Sequence, residues 1–383
     1  MRVLFVAMAD SIHTARWIRQ LQGQGWDLHL FPVERGRLHP ELRDLTVQDA
    51  FGCDGSALPD STRHVCLDGR EAGRDRAAEA LTAVVEGLRP DVVHSLELLK
   101  AGGLVLAALE RLAGPRPPWM ATNWGSEIAL LGRLPQYAPA LRRIVAACDY
   151  YTCECERDVA LARAWGLRGE ALSVLPNAGG FDLAALETLR REPTSSRRLV
   201  LLKGYQGWAG RALVGLRGLE RTAEALDGYR VVLYSPADDV ALAAAVASQE
   251  TGIPIDIAGE RSHLEMLALH GQARISIGLS LCDGLSTSFL EAMVMGSFPI
   301  QSDTGCAREW TQDGVNALFV HPNDADGVAA AVGRALGDDR MVDEAARLNG
   351  RLARERLDAA VVRPQAVALY ERAAARRSPA AGP

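Results

Sequence analysis

The chain is poor in lysine. Of its 42 basic residues only Lys100 and Lys203 are lysines. The rest are arginines, as a GC-rich coding sequence favours, so a lysine that persists is worth noting. Positive charge is not in surplus either: 48 acidic against 42 basic residues give a formal net charge of −6. Nucleic acid or an anionic membrane therefore meets no attractive global field, and no nucleic-acid partner is expected. No stretch approaches the roughly 18–20 apolar residues that a membrane-spanning helix needs. The apolar run at residues 3–9 ends at Asp10, too early for a secretory signal. The seven cysteines (Cys53, Cys66, Cys148, Cys153, Cys155, Cys282, Cys306) are odd in number and scattered. That excludes the disulfide framework of a small secreted domain and reads as a reduced, cytoplasmic chain. Cys148, Cys153 and Cys155 cluster without a second Cys or His pair at ligand spacing, so no metal is expected there. Neither GxGxxG nor GxxxxGK[ST] follows the first strand of either half, which removes the commonest dinucleotide and triphosphate loops.

What remains is an ordinary globular composition, 48% hydrophobic and 23% charged, over 383 residues. That length suits two domains of about 150–200 residues each. Val3-Leu4-Phe5-Val6 reads as a buried strand, followed by an amphipathic stretch at 12–21 and a strand at 27–33. Further strands are expected at 62–67, 91–95, 118–122 and 150–155, with helices at 77–88, 101–112 and 157–165. The alternation argues a parallel, doubly wound sheet. After the turn Pro176-Asn177-Ala178-Gly179-Gly180 and a polar stretch ending near Arg197, the pattern restarts. Strands are expected at 199–202, 230–234, 255–257, 275–278 and 298–300, with capping-box spacing between Ser262 and Glu265. A helical region at 341–375, interrupted by Pro364, closes the chain ahead of a disordered-looking tail at 377–383. The expected class is α/β, two Rossmann-like domains facing a central cleft. The first spans 1–178, a linker 179–197 and the second 198–363. Residues 364–383 are expected to form a helix packing back toward the first domain, plus the tail.

Two segments carry chemistry. In the first, Asp283 and Glu291 flank an Asp-Gly turn and a helix start near Ser286 or Thr287, which puts Glu291 about one turn inside the helix. Helix N-terminal N–H groups suit a phosphate, and a carboxylate suits sugar hydroxyls. Ser286, Thr287 and Ser288 are candidate caps or hydroxyl donors. The segment alone reads equally as an acidic turn before a capped helix. In the second, Lys203 to Ala212 reads KGYQGWAGRA, with Gly204, Gly207 and Gly210 at every third position. Glycines let a backbone approach a ligand closely, and Lys203 and Arg211 bracket the loop with charge suited to a leaving diphosphate. A flexible strand–helix connector would look similar.

Taken together these residues resemble family 4 of the retaining glycosyltransferases, which have the GT-B arrangement of two Rossmann-like domains. The family's acid pair, E-x7-E in a pattern like EGFGLVxLEAMAxGxPV, is matched by Asp283-Gly284-Leu285-Ser286-Thr287-Ser288-Phe289-Leu290-Glu291-Ala292-Met293, then Gly296 and Pro299. The match continues to Glu309-Trp310, Asp313-Gly314 and Asn316, and upstream Val174-Leu175-Pro176-Asn177 with Phe181-Asp182 is similar to the family's "viPNGvD". The resemblance implies that Glu291 accepts from the nucleotide ribose and that Asp283 meets donor-sugar hydroxyls. It also implies that backbone N–H groups around Gly284, Leu285, Ser286 and Thr287 touch the diphosphate. Aspartate shortens the first acid by one methylene. The family's G-R-L-x-x-x-K-G is altered too: Tyr205 follows Gly204, Arg211 stands in for the lysine one position displaced, and Lys203 supplies the other charge.

On the acceptor side, Asp10-Ser11-Ile12-His13 follows the first strand, where an α/β sheet binds ligands; His13 alternatively caps its helix. Thr122-Asn123-Trp124-Gly125-Ser126-Glu127 resembles a family segment with a "WGSD" variant, so Trp124 stands where some members have a histidine, and Glu127 joins the acceptor side. His94 reads either as a cleft residue or as a core histidine.

The implied reaction is transfer of a hexose-type sugar from a nucleoside diphosphate, UDP or GDP, to an acceptor hydroxyl with retention, in glycan, glycolipid or natural-product biosynthesis. Asp283, Lys203, Arg211 and His13 are the catalytic candidates. No Asp-x-Asp arrangement suited to a divalent ion stands out, and no other cofactor is implied. Two rival readings are a GT-B-fold UDP-sugar epimerase, which needs cleft acids and histidines not clearly supplied, and a non-catalytic nucleotide-sugar-binding subunit, which should lose the acid or basic pair. A segment at 134–145 with Arg142 and Arg143 offers either a peripheral membrane contact or a solvated helix face. No sequence feature specifies the oligomeric state.

Overall fold

The computed structural model describes residues 1–34, 38–42, 45–47 and 71–375. The strand expected at 62–67, Cys53, Cys66 and the tail at 377–383 lie outside the described residues. The chain forms two compact units, Met1–Gly180 with the chain from Ala360 onward, and Phe181–Ala359.

The first unit holds β1 (Arg2–Ala7), β2 (Asp27–Pro32), β3 (Thr46–Val47), β4 (Val92–Leu96), β5 (Trp119–Thr122), β6 (Tyr150–Thr152) and β7 (Glu170–Ala171). They form one sheet in the order β3-β2-β1-β4-β5-β6-β7, parallel throughout. Val3 to Ala7 are buried without a break, as a strand covered on both faces requires. The helix Ile12–Arg19 buries Ala15, Trp17 and Ile18. The helix Ala359–Ala375 adds Ala366, Leu369, Tyr370 and Ala373 to the same core.

The helical region near the C-terminus breaks differently from expectation. Helices Asp339–Arg356 and Ala359–Ala375 meet at Leu357 and Asp358, and Pro364 lies inside the second. Phe181 is the cause: its N–H donates to Leu357 O at 2.8 Å and its carbonyl accepts from Ala359 N at 2.8 Å. That bridge takes the chain out of helical geometry, whereas Pro364 removes only one helical N–H.

The second unit holds β8 (Leu199–Lys203), β9 (Arg230–Tyr234), β10 (Ile255–Ala258), β11 (Ile275–Gly278), β12 (Phe298–Ser302) and β13 (Leu318–Val320). The order is β10-β9-β8-β11-β12-β13, again parallel. Each unit is thus a Rossmann-like layer whose strand order reverses once, between β1 and β4 and between β8 and β11. Ligands of open α/β sheets bind at the carboxyl ends of strands at such reversals.

Residues 181–197, expected as a linker, are part of the second unit's packing. Arg197 is fully buried. Its Nη1 donates to His270 O at 3.4 Å, Ala273 O at 2.9 Å and Met295 O at 3.2 Å, and its Nε donates to Arg191 O at 2.5 Å. The His270, Ala273 and Met295 carbonyls lie at the C-terminal ends of the helices His263–Gln272 and Thr287–Met295, which attract a cation. Burial pulls the guanidinium down only to about 10, so it stays charged at neutral pH.

Candidate functional site

In the second unit β8 ends on Lys203, and the loop that follows folds toward the carboxyl end of β11. Arg211 N donates to Leu279 O at 3.1 Å, and Leu281 N donates to Trp208 O at 2.9 Å. The two segments singled out in the sequence are therefore hydrogen-bonded neighbours at the reversal of strand order. Two of the three glycines are explained by close packing of the backbone. A Cβ at Gly204 would lie 2.5 Å from Pro236 Cα, and one at Gly210 would lie 2.1 Å from Tyr205 O. Gly207 takes φ of 116° and faces open space. Lys203 Nζ sits 4.6 Å from the centre of the Tyr205 ring, a cation–π contact. Arg211 Nε donates to Asn323 Oδ1 at 2.8 Å. The loop also presents two large aromatic side chains to solvent, Tyr205 and Trp208.

The helix Thr287–Met295 starts where expected and carries Glu291 one turn in. Ser286 occupies the N-cap position, but its hydroxyl makes no capping bond. It lies 2.9 Å from Ser288 Oγ instead, so the capping role offered to it is corrected. Gly284 O accepts from Cys306 N at 2.9 Å, which pins the Asp283-Gly284 turn. Leu285 is buried and Asp283 half-buried.

Two histidines that the sequence reading did not select stand against Glu291. His263 Nε2 is 2.9 Å from Oε1, and His270 Nε2 is 3.6 Å from Oε2. Both lie on the helix His263–Gln272, seven residues apart and so on one face. The capping box of Ser262 and Glu265 that opens this helix is present as expected. The i, i+7 histidine spacing beside it was the available signal. Burial pushes His270 down to about 4.

Asp324-Ala325-Asp326 is the one Asp-x-Asp triplet in the sequence. Asp324 caps the helix Ala325–Gly337 by accepting from Gly327 N at 3.0 Å, and Asp326 pairs with Arg221 at 2.9 Å.

In the first unit Asp10 is exposed and Ser11 caps the helix Ile12–Arg19, accepting from His13 N at 3.2 Å. The His13 ring meets the edge of Trp124 at 5.5 Å, so an acceptor-side candidate on a helix touches one on a loop. Glu127 is 3% exposed, and its Oε1 accepts from Leu98 N at 3.2 Å and Trp124 N at 3.1 Å. Burial, and then the neighbouring Glu97, push its carboxyl up to about 8. Glu97, not singled out in the sequence, adopts φ of 91°, a strained value for a residue other than glycine. Its carboxylate accepts from Leu99, Lys100 and Ala101 N–H groups.

His94 is corrected from acceptor side to core. It has no exposed surface, lies 2.6 Å from both Tyr370 OH and Thr122 Oγ1, and burial drives it down to about 3. Arg142 stacks on Trp165 at 5.5 Å, and Arg143 pairs with Glu110 at 2.8 Å. Among the described residues no helix is long and apolar enough to cross a membrane.

The comparisons agree with this geometry unit by unit. The family model described as "Glycosyl transferase 4-like" matches residues 2–153, and that described as "Glycosyl transferases group 1" matches residues 211–338. No curated protein matches the chain by sequence. Among solved structures, sucrose-phosphate synthase from Thermosynechococcus elongatus is similar at a TM-score of 0.73 and 14% identity, over 97% of this chain and 98% of that one. Anabaena HepE in complex with UDP-glucose is similar at 0.73 and 14%, over 97% and 100%. The α,α-trehalose 6-phosphate synthase from Burkholderia multivorans is similar at 0.70 and 17%, over 99% of each chain. A family 4-like half and a group 1 half, each a Rossmann-like unit, make this chain a glycosyltransferase of the GT-B fold.

Proposed function

We propose that the enzyme transfers a hexose-type sugar from a nucleoside-diphosphate sugar to an acceptor hydroxyl, with retention at the anomeric carbon. The observation that carries this reading is the junction of the Lys203–Arg211 loop with the Asp283–Glu291 segment at the carboxyl ends of β8 and β11. That junction brings a lysine, an arginine, a helix N-terminus and two carboxyl groups to one edge of one sheet. The basic groups and the helix start suit the diphosphate, and the carboxyl groups suit hydroxyls of ribose and sugar. Glu291 takes the ribose and Asp283 the sugar. Backbone N–H groups from Gly284 to Thr287 take the phosphates, and Gly204, Gly207 and Gly210 shape the loop beside them. UDP-glucose bound to HepE supports UDP as the first nucleotide to try.

In the reaction the bond between the anomeric carbon and the phosphate oxygen breaks, and the acceptor oxygen bonds to that carbon on the same face. The acceptor proton passes to the departing phosphate oxygen. Charge grows on the diphosphate, and Lys203 and Arg211 oppose it without a metal ion. One such donor is worth about 3 kcal/mol in comparable sites. On the acceptor side Asp10, Ser11, His13 and Trp124 are the candidates to hold the hydroxyl-bearing substrate, while Glu127, 3% exposed and bonded to Leu98 and Trp124 N–H, supports the loop that carries Trp124.

The test is thermal melting of the protein with UDP-, GDP-, ADP- and dTDP-sugars, followed by assay of nucleoside diphosphate release. A donor that binds raises the melting temperature by mass action, and slow release without acceptor marks a transferase. If no nucleotide sugar shifts the melt or is consumed, the reading fails.

A further inference from the structure

The two cations of the loop after β8 are held by neutral groups. Lys203 Nζ lies over the Tyr205 ring, 4.6 Å from its centre, and Arg211 Nε donates to Asn323 Oδ1 at 2.8 Å. Among the described residues neither cation forms an ion pair with a carboxylate. Neighbouring cations are held differently. Arg217, on the helix Ala212–Glu220, pairs with Glu220 at 2.7 Å, and Arg221 just beyond it pairs with Asp326 at 2.9 Å. The chain's other lysine, Lys100, pairs with Glu34 at 2.5 Å.

The difference is electrostatic. A carboxylate fixes a cation but offsets its charge, so an arriving anion meets a neutral pair with a like charge in it. A ring face or an amide oxygen orients the cation through a quadrupole or a dipole and leaves its unit charge in place. Both holders are themselves fixed. Tyr205 O accepts from Ala212 N at 3.1 Å, and a Cβ at Gly210 would lie 2.3 Å from the Tyr205 Cβ. A bridge joins Gln206 to Arg211 across the loop. Asn323 follows β13, and its N–H donates to His321 Nδ1 at 3.3 Å. Arg211 and Trp208 tie the same loop to residues 279 and 281, just ahead of Asp283.

We propose that Tyr205 and Asn323 are positioning residues: they hold Lys203 and Arg211 in place with both charges uncancelled, ready for the diphosphate of the donor. This role rests on the donor-site reading above and adds the two neutral side chains on which its electrostatics depend.

The experiment measures release of nucleoside diphosphate by the intact protein from UDP-glucose, GDP-mannose, ADP-glucose and dTDP-glucose, and continues with whichever the wild type consumes fastest. Asn323→Asp exchanges the amide for a carboxylate of nearly the same shape and puts an ion pair on Arg211. It should cut kcat by about tenfold while the melting temperature stays level or rises. A purely structural contact would be strengthened by the same change and leave the rate alone. Tyr205→Leu removes the ring and should cut kcat by about tenfold with a smaller change in donor KM. Tyr205→Phe, which keeps the ring, should recover most of that loss. In a Lys203→Ala background Tyr205→Leu should have no further effect, because the group it positions is gone. A wild-type rate in Asn323→Asp, a loss there that comes with a lower melting temperature, or independent losses from Tyr205→Leu and Lys203→Ala overturns the proposal and leaves the donor site standing. No release by the wild type from any of the four overturns the donor site and the proposal with it.

Discussion

The hydroxyl of Tyr370 lies 2.6 Å from Nδ1 of His94, across 276 residues of sequence. The same hydroxyl accepts the indole N–H of Trp17 at 2.7 Å. One atom near the end of the chain thus satisfies two buried groups of the first unit. Tyr370→Phe leaves the Trp17 N–H without a partner at no cost in apolar volume. We expect a loss of about 1–3 kcal/mol, read as a lower melting temperature.

The first unit should also lose stability as pH rises. Glu127 is raised by burial and by Glu97 from the ordinary carboxylate range to about 8, so the folded state holds a proton that the unfolded chain releases above about 4.5. The sign follows: stability is greatest below the unfolded value and falls through the window up to about pH 8. Glu127→Gln keeps an oxygen to accept from Leu98 and Trp124 but cannot ionise. Its melting temperature should vary less between pH 5 and pH 8 than that of the wild type. Equal slopes would show that the carboxyl is not the group titrating.

Much of the architecture could be read in the residues. The unbroken burial of Val3 to Ala7 and the second start at Leu199 are visible as apolar runs, and both lie in parallel sheets as expected. The helix at Thr287 was legible because the Asp-Gly turn ahead of it is a local signal. Less legible were contacts made by residues distant in sequence. His94 looks the same in the sequence whether it faces a ligand or Tyr370. The break at Leu357 needs Phe181, and nothing local at Pro364 corrects for it. Glu97 gives no warning of its backbone strain, which depends on the N–H groups that follow it. Glu291 was found by its spacing from Asp283, while the histidines beside it belong to a helix whose register against Thr287–Met295 only the fold supplies.

The acid and the lysine should separate in kinetics. In the proposed donor site Glu291→Ala would remove a ground-state contact to the nucleotide, so the Kd for nucleoside diphosphate should rise by about tenfold or more. On the same proposal Lys203→Ala would remove charge opposing the departing diphosphate, so kcat should fall by about a hundredfold with a smaller change in donor KM. Steady-state assays with saturating acceptor distinguish the two. Parallel losses in both variants would merge the roles assigned here.

The glycines of the loop are unequal. Gly210→Ala places a methyl group 2.1 Å from Tyr205 O, so the loop must move or strain, at a cost of about 1–3 kcal/mol. Gly207→Ala meets no atom within 4 Å but must hold φ of 116°. We expect Gly210→Ala to lower both melting temperature and donor affinity, and Gly207→Ala to act through loop conformation with a smaller effect on melting. The reverse ranking would mean that the loop relaxes freely around Tyr205.

Arg197 has a consequence for anyone exchanging halves between relatives of this enzyme. Its guanidinium donates to Ala273 O and Met295 O, at the far ends of the helices that bear His270 and Glu291. A chimera joined just before β8, at the visible restart of the strand pattern, would graft the second unit without its native fastening and inherit a stranger's residue in that place. A junction at Gly180, ahead of Phe181, transplants the fastening with the half it serves.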